Sequence, residues 1–218
     1  MPKYKLVCFD VDGTLVDNVV YSWELFHNYF DVDMKKREEM RAKYYNKEID
    51  YLQWALHDMG MWMEKGAIKD DFFKAMKDLR LMKGAMETIL ELRKREIKLA
   101  IISGSLDIIL EKVMPNYKEL FDDVFLSHLI FDEEGKLIDA KVTEYDMMQK
   151  ADALRKIVKR EKISLKETVF IGDHYNDVEI AKIAGLSIAF DCKDETLRKT
   201  ANVCIGKKDL RETLRYIL

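Results

Sequence analysis

Short, continuous apolar runs alternate with stretches of helical periodicity along most of this chain. The runs at 4–9 and 97–102 are rich in branched side chains, which is typical of strands buried on both faces of a parallel sheet. Apolar residues spaced three or four apart indicate the helices that separate such strands. Further strands are predicted at 168–171, 186–190 and 202–205, helices at 84–95, 105–113, 149–161, 176–184 and 194–200, and a hairpin at 124–142. This alternation predicts an α/β fold built on a doubly wound, mostly parallel sheet.

The stretch from 17 to 82 interrupts the alternation after the first strand. It contains all three tryptophans, and its aromatic residues recur at helical spacing, as in Trp23, Phe26 and Phe30. We therefore predict a helical cap domain at 17–82, inserted into an α/β core formed by 1–16 and 83–218. The aromatic residues fit two roles: the core of a small helical bundle, or the wall of a substrate pocket.

Composition narrows the class of protein. The chain has 218 residues, 48% of them hydrophobic, which is enough for one elaborated domain or two small ones. Its net charge is −3 and its basic residues are dispersed, so we expect no nucleic-acid partner. Three widely spaced cysteines, no signal peptide and no membrane-spanning apolar run favour a soluble cytoplasmic protein. We expect a monomer or a weak homo-oligomer that does not bind membranes.

Two carboxylates follow the first apolar run directly. Asp10 and Asp12 are one residue apart and precede Gly13 and Thr14. Alternation along a strand puts both side chains on the same side of the chain, where two like charges repel unless a cation or a proton intervenes. Such a pair is unfavourable in a hydrophobic core and is typical of a catalytic site.

Two other predicted strands end in polar residues. Ser103 and Gly104 follow the second strand, where a hydroxyl and backbone N–H groups could hold a phosphate. Asp173 and Asp177 follow the strand at 168–171 and stand four residues apart, so both could face one cleft. Taken singly, each motif also fits an ordinary turn or helix cap.

The three motifs together favour a catalytic site. Ligands of open α/β sheets bind beyond the carboxyl ends of the strands, where all three motifs lie. Four converging carboxylates require a cation, and oxygen ligands without a histidine or cysteine cluster suit Mg²⁺. A nucleophilic carboxylate, Mg²⁺ and an anion cradle indicate phosphoryl transfer.

The chain resembles the haloacid dehalogenase superfamily, in its phosphoserine-phosphatase-like branch. The family's four motifs occur in order over the predicted core. They are matched by the Asp-x-Asp-x-Thr of Asp10–Thr14, by Ser103, by Lys150, and by the Gly-Asp-x-x-x-Asp of Gly172, Asp173 and Asp177.

The resemblance implies a role for each of these residues. Asp10 would be the nucleophile that forms an aspartyl phosphate, and Asp12 the general acid and then the general base. Mg²⁺ would be bound by Asp10, Asp173 and the backbone carbonyl of Asp12, with Asp177 acting through water or through Lys150. The residues expected around the phosphate are Ser103, Gly104, Lys150 and Asn176, with Thr14 behind them.

The substrate is less well defined than the reaction. Family members that hydrolyse phosphoserine carry a glutamate nine residues beyond the nucleophile, where this chain has Val19, and an arginine in the insertion, where KEIDYLQWAL has none. We therefore expect another small phosphate monoester, with phosphoserine a weaker candidate, and Lys43, Lys47 or His57 could reach it from the cap. A phosphotransferase or phosphomutase would keep the same motifs and is the alternative. A non-catalytic binding module is disfavoured because both aspartates are present.

Overall fold

A seven-stranded sheet forms the centre of the molecule in the computed structural model, which describes residues 2–218. Its strands are β1 (Leu6–Phe9), β4 (Lys98–Leu106), β5 (Asp123–Phe131), β6 (Leu137–Lys141), β7 (Thr168–Gly172), β8 (Leu186–Phe190) and β9 (Val203–Ile205), and a separate two-stranded ladder is formed by β2 (Val16–Asp17) and β3 (Arg80–Leu81). The order across the sheet is β6-β5-β4-β1-β7-β8-β9, and β6 is the antiparallel edge strand. The predicted α/β fold with a mostly parallel sheet is confirmed, as is the hairpin.

Strand β1 lies at the middle of the sheet because its four apolar residues can be buried on both faces. Leu6 is paired with Lys98 on one side and with Thr168 on the other. Val7 and Phe9 enter one hydrophobic cluster, whereas Leu6 and Cys8 enter another. The alternation along the strand thus divides the core into two layers.

Helices cover both faces of the sheet. Within residues 2–218 they are α1 (Ser22–Tyr29), α2 (Met34–Tyr45), α3 (Tyr51–Glu64), α4 (Lys69–Ala75), α5 (Ala85–Lys94), α6 (Asp107–Val113), α7 (Tyr117–Leu120), α8 (Lys150–Glu161), α9 (Val178–Ile183), α10 (Glu195–Thr200) and α11 (Leu214–Ile217). Leu154 and Ile157 of α8 pack on one layer, and Ile89 and Leu92 of α5 on the other. None of the described helices is long and apolar enough to span a bilayer.

Strand β4 is longer than predicted. It ends at Leu106 rather than at 102, so Ser103, Gly104 and Ser105 belong to the strand instead of following it. Its pairing with β5 is irregular between Ile102 and Leu106. An irregularity of this kind redirects side chains near a sheet edge.

The segment 17–82, here called the cap segment, leaves the sheet and returns to it at one place. Strands β2 and β3 pair antiparallel, with Val16 opposite Leu81 and Asp17 opposite Arg80. The Arg80 guanidinium also donates to the Asp17 carboxylate at 3.0 Å. That this segment is a separate cap domain remains a prediction.

Four helices and an aromatic core make up the cap segment. Helix α2 begins after Asp33, whose carboxylate accepts from the Lys35 N–H at 3.0 Å. The rings of Phe26, Trp62 and Phe72 are buried, with centroids 4.9–5.7 Å apart. These aromatic residues therefore have the bundle-core role that periodicity suggested.

Candidate active site

Three strands deliver polar side chains to one edge of the sheet. Asp10 follows β1, Asp173 follows β7 and Ser103 lies near the end of β4. Because β1 runs parallel between β4 and β7, these three residues meet at the carboxyl ends of neighbouring strands. All three are buried, at 3–4% exposure, so the predicted convergence of the motifs is present in the structure.

Lys150, the first residue of α8, lies among the carboxylates. Its Nζ donates to Oδ1 of Asp10 and to Oδ1 of Asp177, both at 2.7 Å. The lysine is fully buried, which alone would lower its pKa, but the charges of Asp10 and Asp177 raise the pKa instead. Lys150 is therefore a permanent cation bound to two carboxylates.

Both carboxylate oxygens of Asp177 accept hydrogen bonds, Oδ1 from Lys150 and Oδ2 from the backbone. Its Oδ2 accepts the backbone N–H groups of Asp173 at 2.9 Å and of His174 at 3.2 Å. A Cβ at position 172 would lie 2.2 Å from the same oxygen, so Gly172 is needed for this close approach. Asp177 thus fixes the loop that carries Asp173, and it also orients Lys150.

The carboxylates of Asp10, Asp173 and Asp177 form a group that fits a hard divalent cation. One oxygen from each lies within 4.8 Å of the others. Burial, with the charges of Asp10 and Asp177, raises the pKa of Asp173 to about 9. Such a carboxylate is ionised at neutral pH only if a cation compensates it, so the donor set and its electrostatics both suit Mg²⁺.

Asp12 has an environment different from that of Asp10. Its Oδ2 accepts from the Ser22 backbone N–H at 2.6 Å, and its Oδ1 from the Ser105 hydroxyl at 2.8 Å. Burial raises the pKa of Asp12 to about 6; the charge of Asp10 adds to this rise, and the bonds from Ser22 and Ser105 oppose it. A carboxyl group that titrates near neutrality can both donate and accept a proton.

Ser103, Gly104 and Asn176 line the same cavity as Asp10 and Asp12. The Ser103 hydroxyl accepts from the Ser105 N–H at 3.2 Å, and the Gly104 carbonyl accepts from Trp23 Nε1 at 2.9 Å. Asn176 donates through Nδ2 to Asp146 Oδ1 at 3.2 Å.

Asp146 is a buried carboxylate that the sequence analysis missed. A Cβ on Gly104 would lie 2.0 Å from Asp146 Cγ, so only glycine admits this carboxylate beside β4. Asp146 comes from the irregular segment before α8, where no pattern marked it.

A cavity of about 380 Å³ adjoins the aspartates and is walled on its other side by the cap segment. The cap residues that line it include Trp23, Tyr45, Tyr51, Trp54, Arg37 and Arg41. Lys43, Lys47 and His57, which the sequence suggested could reach the substrate, are not among the lining residues. Val19 packs against the hydrophobic core instead of lining the cavity.

Comparison with known proteins agrees with this geometry. A family model described as haloacid dehalogenase-like hydrolase matches residues 4–185. The phosphoserine phosphatase of Methanocaldococcus jannaschii is 35% identical over 99% of this chain and 98% of its own length. That of Wolinella succinogenes is 29% identical over 98% of this chain and all of its own length. A solved substrate-bound phosphoserine phosphatase complex superposes with a TM-score of 0.75 at 32% identity, each chain covered completely.

The chain belongs to the haloacid dehalogenase-like hydrolases. Within them it falls in the phosphoserine-phosphatase-like branch, whose solved structures include a phospho-aspartyl intermediate analogue that covers 99% of this chain with a TM-score of 0.74. It is a phosphoric monoester hydrolase that acts through an aspartyl phosphate.

Proposed function

We propose that this phosphatase is Mg²⁺-dependent, that it hydrolyses small-molecule phosphate monoesters, and that Asp10 is its nucleophile. The observation that carries the proposal is the contrast between the two catalytic aspartates. Asp10 is bound by the cation Lys150 at 2.7 Å, whereas Asp12 has no cation beside it among the described residues and is held by Ser22 and Ser105, with a pKa of about 6. Environments that separate two carboxyl groups in this way assign one to attack and the other to proton transfer.

In the first half-reaction, a carboxylate oxygen of Asp10 bonds to phosphorus as the bond from phosphorus to the leaving oxygen breaks. Asp12 gives its proton to that oxygen, so the product leaves as a neutral alcohol. Lys150 remains beside Asp10 and offsets the repulsion between the carboxylate and the incoming phosphate.

In the second half-reaction, Asp12 accepts a proton from water while the water oxygen bonds to phosphorus. The bond from phosphorus to Asp10 breaks, which releases inorganic phosphate and restores the Asp10 carboxylate. Asp12 is again protonated, so one residue supplies both proton transfers. Ser103 and the Gly104 backbone would hold the phosphoryl oxygens, with Asn176 at the edge of the site.

Mg²⁺ would be held by Asp10, Asp173 and the backbone carbonyl of Asp12, with Asp177 close enough to contribute through water. When bound, it supplies positive charge that neutralises the carboxylates and the phosphoryl oxygens. The support is the set of three oxygens within 4.8 Å and the raised pKa of Asp173.

The size and lining of the cavity indicate the kind of substrate, and the state of the cysteines indicates the cellular location. A space of about 380 Å³ suits a small leaving group, and the aromatic walls of the cap segment would exclude water from it. Cys8, Cys192 and Cys204 are free thiols, which supports a cytoplasmic location.

The test is phosphate release with Mg²⁺ from an aryl phosphate and a metabolite panel that includes phosphoserine, the substrate for which the relatives are named. We expect turnover by the wild type and none by Asp10→Asn with an unchanged circular dichroism spectrum. Retained activity in Asp10→Asn would remove Asp10 from the nucleophile role. Acceptor alcohols added to the assay separate hydrolysis from phosphoryl transfer, because a transferase would yield a new phosphate ester.

A further inference from the structure

One arginine of the cap segment is half-buried at the cavity, and its Nε has no acceptor in the described part of the chain. Arg37 on α2 lines the cavity, and its side chain is 15% exposed. Its Nε is buried and makes no hydrogen bond within the described residues. The nearest carboxylate oxygen, Oδ2 of Asp58, is 3.7 Å away, beyond hydrogen-bonding distance.

Asp58 is fixed in place by a chain of buried hydrogen bonds. Trp62 Nε1 donates to His27 Nδ1 at 3.0 Å, so the proton of His27 lies on Nε2. That nitrogen donates to Asp58 Oδ2 at 3.0 Å. His57 Nδ1 lies 3.4 Å from the other oxygen of Asp58. The carboxylate beside Arg37 is thus engaged on both oxygens by histidines.

This arrangement places a carboxylate near Arg37 but leaves the Arg37 Nε without a hydrogen-bond acceptor in the part of the chain that the structure describes. A structural arginine–carboxylate pair is usually bidentate, at about 2.7–2.9 Å. Asp58 offers Arg37 charge compensation at a longer distance, and the guanidinium keeps donors for another acceptor. A half-buried cation whose Nε is buried without an acceptor is costly unless a ligand supplies an oxyanion.

Arg41 provides the contrast on the same helix. It lies one turn further along α2 and also lines the cavity. Its side chain is 47% exposed, and its Nη1 donates to Glu38 at 3.3 Å. Water and Glu38 therefore already satisfy Arg41, which leaves Arg37 as the arginine that requires a ligand.

We infer that Arg37 binds an oxyanion carried by the leaving group, a carboxylate or a second phosphate, and so determines which phosphate esters are hydrolysed. The inference rests on the proposed function, since it concerns the leaving-group side of the same cavity. Trp54 lines this cavity too, and its buried Nε1 lacks an acceptor within the described residues. This neutral donor in the same cavity would suit the same oxyanion as the Arg37 cation.

The experiment compares three esters on one three-carbon chain: 3-phosphooxypropanoate, n-propyl phosphate and 1,3-propanediol bisphosphate. The first two differ only in a terminal carboxylate against a methyl group, and the third carries the second phosphate. The readout is the ratio of kcat/KM for each anionic ester to that for propyl phosphate. We expect the wild type to favour at least one anionic ester, and the favoured one identifies the oxyanion.

Arg37→Met should lower that ratio roughly 10- to 150-fold, the equivalent of one charge-assisted hydrogen bond. Arg37→Lys, which keeps the charge without the planar fork, should give an intermediate ratio. Arg41→Met is the matched control and should keep the wild-type ratio.

A wild-type ratio near one for both anionic esters would overturn the inference before any variant is made. Equal losses of kcat/KM on all three esters in Arg37→Lys would also overturn it, because a purely structural role predicts that result. Failure of the proposed function looks different, because the wild type would then release no phosphate from any of these esters or from an aryl phosphate.

Discussion

The two sides of the cavity are built in opposite ways. On the sheet side, Asp10, Lys150 and Asp177 come from distant parts of the chain but satisfy one another at 2.7 Å. On the cap side, Arg37 stands 3.7 Å from Asp58 and retains unmet donors. On the sheet side, Lys150 satisfies two carboxylates within the protein, whereas on the cap side the Nε of Arg37 has no acceptor among the described residues. In the mechanism proposed above, the strand ends with Lys150 therefore carry the reaction, and the cap helices carry the choice of substrate.

The largest effect should come from Lys150→Met, which breaks the sheet side. It leaves two buried carboxylates unpaired, so we expect unfolding free energy to fall by about 3–5 kcal/mol. We also expect activity to fall by at least roughly 100-fold, because the donor that holds Asp10 is lost. Urea denaturation and phosphate release measure the two effects.

Lys156→Met on the same helix is the control for this variant. Lys156 is exposed and donates to the Tyr145 hydroxyl at 3.0 Å, so its loss should change neither quantity measurably. A Lys150→Met protein as stable and active as this control would show that the sheet side does not depend on its central cation.

The second largest effect is expected in Asp173→Asn, which tests whether Asp173 binds Mg²⁺. Without a divalent cation, Asp173 keeps its proton to about pH 9 in the folded state, but an unfolded aspartate loses it near pH 4. Stability should therefore decrease as pH rises between these values, and Asp173→Asn should lack this contribution. At pH 8, Mg²⁺ at 100 times its Kd should raise the wild-type Tm by roughly 5–10 °C and that of Asp173→Asn far less. Thermal unfolding with EDTA or Mg²⁺ measures this, and equal Mg²⁺ shifts in both proteins would contradict the assignment.

A smaller effect is expected in Ser105→Ala, which should alter only the pH at which Asp12 loses its proton. Loss of the 2.8 Å bond to Asp12 removes a donor that stabilises the charged carboxylate, so the pKa of Asp12 should rise above about 6. Because Asp12 must be protonated to assist the leaving alcohol, the descending limb of kcat/KM should move to higher pH, by roughly one unit.

The control for Ser105→Ala is the same variant with an aryl phosphate, whose leaving group needs little protonation and should show a smaller displacement. A limb that stays in place or moves to lower pH would mean that Asp12 is not the acid.

The smallest effect is expected where the cap segment touches the sheet side at the surface. The hydroxyls of Tyr45 and Tyr175 are 2.9 Å apart and exposed. Tyr45→Phe should raise KM about 2- to 5-fold, since an exposed hydrogen bond contributes little. Tyr175→Phe should do the same, and the double variant should be no worse than either single one. Additive effects on KM would show that the two hydroxyls act separately.

The sheet side could be predicted from sequence because its signals are local and periodic. Branched apolar runs marked β1, β7 and β8, and the polar residues after them marked the site. The extension of β4 through Ser103 and Gly104 could not be predicted, since these residues are poor strand formers and the irregular pairing with β5 depends on tertiary contacts.

The cap side could not be predicted to the same depth. Helix α2 is polar and has no buried residue, so its sequence looked like a solvated surface. Arg37 and Arg41 have the spacing of residues on one helix face, but charged residues at this spacing are equally typical of a solvated surface. Asp146 and Ser105 gave no signal, because their roles arise only when distant segments meet.

The short β2–β3 ladder has a consequence for the history of such enzymes. Because Val16 and Leu81 are neighbours across this ladder, the chain enters and leaves the helices at adjacent points. Whole helical segments can therefore be lengthened, shortened or exchanged during evolution without moving the ends of β1, β4 or β7. Substitutions confined to the cap segment can therefore change which metabolites are accepted as substrates, without altering the residues at the strand ends.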